Sequence, residues 1–181
     1  LYAHSDGVNV IAFSPSGSLM ISGGVDGEIS VWDTHDWVKK LSFQGHQGAV
    51  TDLVFSPGGT FFASAGGDET VVLWNAGDGA RITTLSEHTD VVVSLAFNSA
   101  GTILASSGLD KKIITWDLKT FAPTSILAVP GEHTEDIAFH PTNGSLISGG
   151  WDGSILVWDI SNELVIRDFI GMSGPIFDID I

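Results

Sequence analysis

The sequence has 181 residues, 43% of them hydrophobic, no cysteine, and 22 acidic against 7 basic side chains for a net charge of −15. That is ample apolar material for a core, and it excludes disulfides and thiolate metal sites. The charge argues against nucleic acid, whose phosphates select basic surfaces. No apolar run approaches the roughly 20 residues of a membrane span, no leader pattern opens the chain at Leu1, and the cysteine count favours the cytoplasm.

Taken in chain order, short β-like runs alternate with clusters of Gly, Ser, Asn and Asp. The first four are expected at 8–13, 18–22, 28–32 and 38–43, after a possible strand tail at 1–3. Four more, at 49–55, 60–65, 70–74 and 81–86, are parted by clusters such as Ser56-Pro57-Gly58-Gly59 and Gly66-Gly67-Asp68-Glu69. Two further sets follow at 91–97, 102–106, 112–116 and 124–129, and at 135–139, 145–148, 154–158 and 164–170. Residues 175–181 read as one more first strand. No stretch keeps a 3.6-residue period, so no helix is expected. Each set grades from apolar to polar, as for a sheet running from a buried edge to an exposed one.

A fixed ruler underlies these sets. Trp32, Trp74, Trp116 and Trp158 stand forty-two residues apart, and Phe13, Phe55, Phe97 and Phe139 keep the same step. So do Ser22, Ser64, Ser106 and Ser148, and Asp26, Asp68, Asp110 and Asp152. Such a period marks a repeat architecture. A four-stranded sheet cannot bury both faces alone, and radial stacking of such sheets makes a propeller. The expected fold is all-β, one domain over 1–181, with repeats at 3–44, 45–86, 87–128 and 129–170 and a further start at 171–181.

Gly45-His46 near a repeat start, Ser-Gly-Gly-x-Asp-Gly at 22–27 and 148–153, and Trp followed by Asp33, Asp117 and Asp159 resemble the WD-repeat β-propeller family. Asn75 replaces the aspartate in the second repeat. The resemblance covers essentially the whole chain and implies one hydrogen-bonded set per repeat. These would be His4, Ser22, Asp26 and Trp32; His46, Ser64, Asp68 and Trp74; His88, Ser106, Asp110 and Trp116. The fourth keeps Ser148, Asp152 and Trp158 but has Pro130 where the histidine should stand. His133 could substitute only if the backbone shifted, and Met172 takes that place in the fifth start. Rings of this family commonly have seven blades, so the chain is expected to be part of a larger ring, completed by further blades or by a second copy.

Catalysis is not expected. Ser, His and Asp in one set suggest a triad, but a set that recurs three times is structural. Glu132, His133, Glu135, Asp136 and His140 lack a metal-ligand spacing, and no glycine-rich stretch is followed by Lys-Ser or Lys-Thr. No metal or cofactor is expected. What remains is surface. The resemblance places partner docking on the face with the loops before first strands and between second and third strands. There the later repeats offer Val91, Val93, Leu109, His133, Trp151 and Phe177, an apolar and aromatic set of the kind that marks interaction sites. Trp37, in the turn before the fourth run, is expected to cap the outer edge of its blade. The expected function is a non-catalytic scaffold for a protein or peptide, with no nucleic acid and no membrane partner. Acidity serves solubility first, with a basic partner as the second reading. The alternative is an architectural segment that recognises nothing itself.

Overall fold

The computed structural model describes residues 3–169 and 174–180. The sixteen strands expected between residues 8 and 169 are all present, to within two residues at each end, whereas the one expected at 175–181 is not. The first sheet comprises β1 (Val8–Phe13), β2 (Leu19–Gly24), β3 (Glu28–Asp33) and β4 (Lys39–Gln44). The second comprises β5 (Val50–Phe55), β6 (Phe61–Gly66), β7 (Val71–Asn75) and β8 (Arg81–Leu85). The third holds β9 (Val92–Phe97), β10 (Ile103–Gly108), β11 (Lys112–Asp117) and β12 (Pro123–Ala128). The fourth holds β13 (Thr134–Phe139), β14 (Leu146–Gly150), β15 (Ile155–Asp159) and β16 (Leu164–Phe169). Each is an antiparallel meander in sequence order, and no helix occurs among the described residues. Two compact units divide between Val92 and Val93.

Turn chemistry sets the meander. Gly17, Gly59 and Gly101 take φ of 72°, 68° and 65° in the first hairpin of their repeats, a left-handed conformation that glycine adopts without steric cost. The turn between second and third strands needs the same conformation at one position. Gly27 and Gly153 supply it, whereas Glu69 and Lys111 hold φ of 67° and 61° at the corresponding places. The register of third against fourth strand shifts at each ruler tryptophan, between Val31 and Trp32 and between Leu73 and Trp74 in the first unit. A bulge there adds local twist and re-aims the indole.

Sheets pack face to face within each unit. In the first, Val10, Ala12, Leu19, Ile21, Ile29, Val31, Leu41 and Phe43 meet Val50, Leu53, Phe55, Phe62, Val72, Trp74 and Ala76. Gly23 is what allows β5 so close, because a Cβ there would lie 2.5 Å from Val50 Cγ1. The second unit has its own core of Ala96, Ala105, Ile113, Leu127, Val129, Ile137, Phe139, Leu146, Leu156 and Trp158.

Several expectations are corrected. Burial does not fall steadily from first to fourth strand: the middle strands are the most buried, and β1 is half exposed. Middle strands have a neighbour on both edges, whereas β1 and β5 are both edge strands. Of these two, β1 is the more exposed because Ile11 and Phe13 lie uncovered where Leu53 and Phe55 of β5 pack against the first sheet. Residues 175–180 form no strand, because a first strand takes its ladder from the second strand of its own repeat and no described residue supplies one. They are held instead by the Ile176 N–H donating to the Gly150 carbonyl and the Ile179 N–H donating to Asp136. Trp37 caps nothing. It is 59% exposed at φ 58°, on a turn tip where the second repeat has Gly79. The expected strand tail at 1–2, together with Ile170, Met172 and Ile181, lies outside the described residues.

Candidate interaction face

The repeat-internal polar sets frame the loops that carry the face. In the second repeat, the Trp74 indole N–H donates to Ser64 Oγ at 2.8 Å, and Ser64 Oγ lies 2.6 Å from His46 Nε2. His46 Nδ1 lies 2.8 Å from Asp68 Oδ1. A carboxylate only accepts, so Nδ1 carries the proton and Nε2 accepts from the serine hydroxyl. Burial holds the His46 pKa below its ordinary value, against the raising effect of Asp68. Burial also works to raise Asp68, but the Gln47 N–H, the His46 ring and Thr70 outweigh it and keep the carboxyl below its usual range.

The other sets differ in detail. Trp32 donates to Ser22 and His4 Nε2 reaches Ser22 at 2.9 Å. His4 Nδ1 sits 3.3 Å from Asp26 Oδ1, close enough for attraction but misaligned for a hydrogen bond, so this nitrogen is left unsatisfied. In the second unit, Trp116 donates to Ser106 at 2.9 Å and Asp110 accepts from the Lys112 N–H. His88 is buried at the end of the first unit. In the fourth repeat Trp158 donates to Ser148, and Asp152 turns to Ser154, whose hydroxyl bonds it at 2.6 Å and lowers its pKa. His133 does not substitute for the missing ring. Its Nε2 instead lies 2.7 Å from Glu135 Oε1, two residues on and so on the same face of an extended chain.

The expected docking residues divide into two groups. Val91, in the first unit, and Val93 and Leu109, in the second, are half-buried and offer little surface. His133, Trp151 and Phe177 come together. The Trp151 N–H donates to the His133 carbonyl at 3.0 Å, which joins the two loops. His133 stacks on the Trp151 ring at 5.5 Å, and Phe177 meets Trp151 edge-on at 5.8 Å and 87°. Although the rings touch one another, Trp151 stays 47% and Phe177 67% exposed. Glu135 fixes the imidazole, the imidazole fixes the indole, and the Ile176 N–H bond to Gly150 holds the chain entering Phe177. The result is a preformed aromatic surface on loops tied by main-chain bonds. Among the described residues no three His, Asp or Glu side chains converge as for a metal ion.

Sequence reasoning missed two features of this unit. One is the ladder from Ser94 Oγ through Asp136 to the Ile179 N–H, at 2.7 and 2.6 Å. Burial raises the Asp136 pKa, against the lowering effect of Ser94 and the Ile179 and Ile137 N–H groups. Ser94 and Asp136 lie forty-two residues apart, a signal that could have been read. The other is a cleft of about 400 Å³ beside Pro130 and Asp152.

Comparison with known proteins agrees with this architecture. The family model described as "WD domain, G-beta repeat" matches residues 1–33, 37–75, 79–117 and 126–159. A stretch of 45 residues is 36% identical to the periodic tryptophan protein 2 homolog of Dictyostelium discoideum, covering 25% of this chain and 5% of that protein. Among solved structures, "Structure of U3-55K" superposes with a TM-score of 0.91 at 22% identity, over 97% of this chain and 55% of the other. "Crystal structure of RRP9 WD40 repeats" matches with the same values. The chain therefore spans just over half the length of these solved chains, and at that identity the likeness shows the fold. With four family matches across most of its length, this chain belongs to the WD-repeat family of β-propellers.

Proposed function

We propose that the chain is a non-catalytic interaction scaffold that docks a protein or peptide on the face bearing Trp151. The observation that carries this is the pair of large, exposed, mutually braced aromatic rings, Trp151 and Phe177, on a surface already ordered. Such rings dominate binding when a partner desolvates them, and pre-ordering lowers the entropic cost of association. Repeat propellers of this family typically serve protein interaction. Peptides selected from a random display library against the whole chain provide the probe. Trp151→Ala combined with Phe177→Ala is expected to weaken their binding by roughly 100-fold or more while leaving the melting temperature nearly unchanged. Undiminished binding by the double variant would sink the proposal.

A second observation favours an architectural role beside it. Leu53 and Phe55 of β5 are 3% and 7% exposed beneath the first sheet, whereas Ile11 and Phe13, at the same register on β1, are 56% and 51% exposed. We infer that this face of the first sheet is built to receive another blade. Light scattering over a concentration series is expected to show self-association of the 181-residue chain, reduced by Ile11→Glu with Phe13→Glu. A strict monomer with no change in the variant would contradict it.

A further inference from the structure

The second and fourth repeats place a cleft at the same point of their sheets. In the second it measures about 310 Å³ and is lined among others by His46, Asp68, Thr70, Val72, Arg81 and Thr84. In the fourth it measures about 400 Å³ and is lined by Pro130, Gly131, Asp152, Ser154, Leu156 and Asp168. These correspond by register: Pro130 to His46, Asp152 to Asp68, Ser154 to Thr70, Leu156 to Val72, and Asp168 to Thr84. Arg81 corresponds to Val165.

The exchange of charge is one-sided. In the second repeat a single carboxylate faces a ring nitrogen at 2.8 Å, and the Arg81 guanidinium lies 5.2 Å over the Trp74 ring. The fourth repeat has lost both of those basic groups and gained a second carboxylate. Pro130 is exposed where His46 is buried, and Asp152 is exposed where Asp68 is half-buried. The nearby Lys111 is engaged, its ammonium bonding the Gly131 carbonyl at 2.9 Å and Glu132 at 3.3 Å. The cleft thus keeps an aspartate whose counterpart binds a basic ring, here accepting from the Ser154 and Glu132 N–H groups and the Ser154 hydroxyl. It adds Asp168, is walled by Pro130 and the largely buried Leu156, and contains no cation of its own.

We propose that this cleft is a binding site for a cationic side chain, arginine above all, presented by a partner peptide. The guanidinium would bond Asp152 and Asp168 while its methylene stem lies on Leu156 and Pro130. Arginine suits it better than lysine because a planar fork of donors can serve two carboxylates at once. The site goes beyond the docking reading and does not need it, since the aromatic surface and the cleft use different side chains.

The probe is Nα-acetyl-arginine methylamide, with the uncharged citrulline analogue as its control, titrated into the full chain by NMR. Saturable shifts are expected at the amides of Gly131, Gly153 and Ser154, with citrulline at least roughly tenfold weaker. Asp168→Asn, at an exposed position, is expected to abolish the difference between the two probes. Val165→Arg, which restores the base of the second repeat, is expected to block binding. An equal response to citrulline, no shift, or shifts only elsewhere would overturn the proposal. The Trp151→Ala and Phe177→Ala variant separates the two readings. If it loses peptide capture but still binds the arginine probe, both stand. If capture depends on Trp151 but the probe never binds, only the cleft proposal falls. A probe that binds while peptide capture ignores Trp151 removes the docking reading alone.

Discussion

His46→Ala is expected to lower the stability of the chain by about 3 kcal/mol, the largest loss from any single polar residue considered. The ring is 2% exposed and sits in the middle of a relay from Trp74 through Ser64 to Asp68. Its removal breaks one neutral hydrogen bond and one to a carboxylate, worth about 0.5–1.5 and 1.5–3 kcal/mol, and leaves a cavity. For a chain of this size that corresponds to a melting point lower by roughly 6–12 °C. His4→Ala should cost less, because His4 Nδ1 makes no hydrogen bond to lose. Equal losses at the two positions would show that the link to Asp68 adds nothing.

The same ring predicts a pH dependence. Burial holds the folded His46 below its ordinary pKa, so the unfolded chain takes up a proton near pH 6.5 that the folded chain resists. The stabilisation is therefore complete above about pH 6.5 and declines as the pH falls from there toward the lower folded value. Asp68, also depressed, adds a second loss as the pH falls below about 3.9. Melting curves from pH 7.5 to 5 should fall less steeply in His46→Ala than in the unaltered chain. Parallel slopes would remove His46 as the source.

A gain of similar size is expected from the second unit. Ser107 Oγ and Thr134 Oγ1 are buried and have no hydrogen-bond partner. They lie on β10 and β13, which pack together, at the register where Gly23 meets Val50 in the first unit. An unsatisfied buried hydroxyl costs about 1–3 kcal/mol. Ser107→Ala with Thr134→Val keeps the shapes, removes both polar groups, and should raise stability by about 2–4 kcal/mol, less if the adjacent sites couple. Calorimetry decides it, and destabilisation would mean that the hydroxyls bond each other or a trapped water.

How much of this was readable beforehand follows from what is local and what is not. The forty-two-residue ruler places every strand of the four sheets, because each repeat solves the same local problem with the same turn residues: Gly17, Gly59 and Gly101 mark the same hairpin. Trp151 and Phe177 stood out as large apolar side chains at loop positions, although what braces them did not. The stacking of His133 depends on Glu135 claiming the ring and on the Trp151 N–H reaching back to the 133 carbonyl, neither of which is a pattern in composition.

Repetition along the chain determined the fold class and the placing of the strands, since covalent spacing carries those, and the identity of the polar sets came with the family resemblance that the repeated motifs support. Only the tertiary structure decided which of the nominally equivalent positions differ in exposure: Ile11 against Leu53, Pro130 against His46, Trp37 against Gly79. Burial and electrostatics depend on what a neighbouring sheet or loop brings within a few ångströms, and that distance is not written in any one repeat.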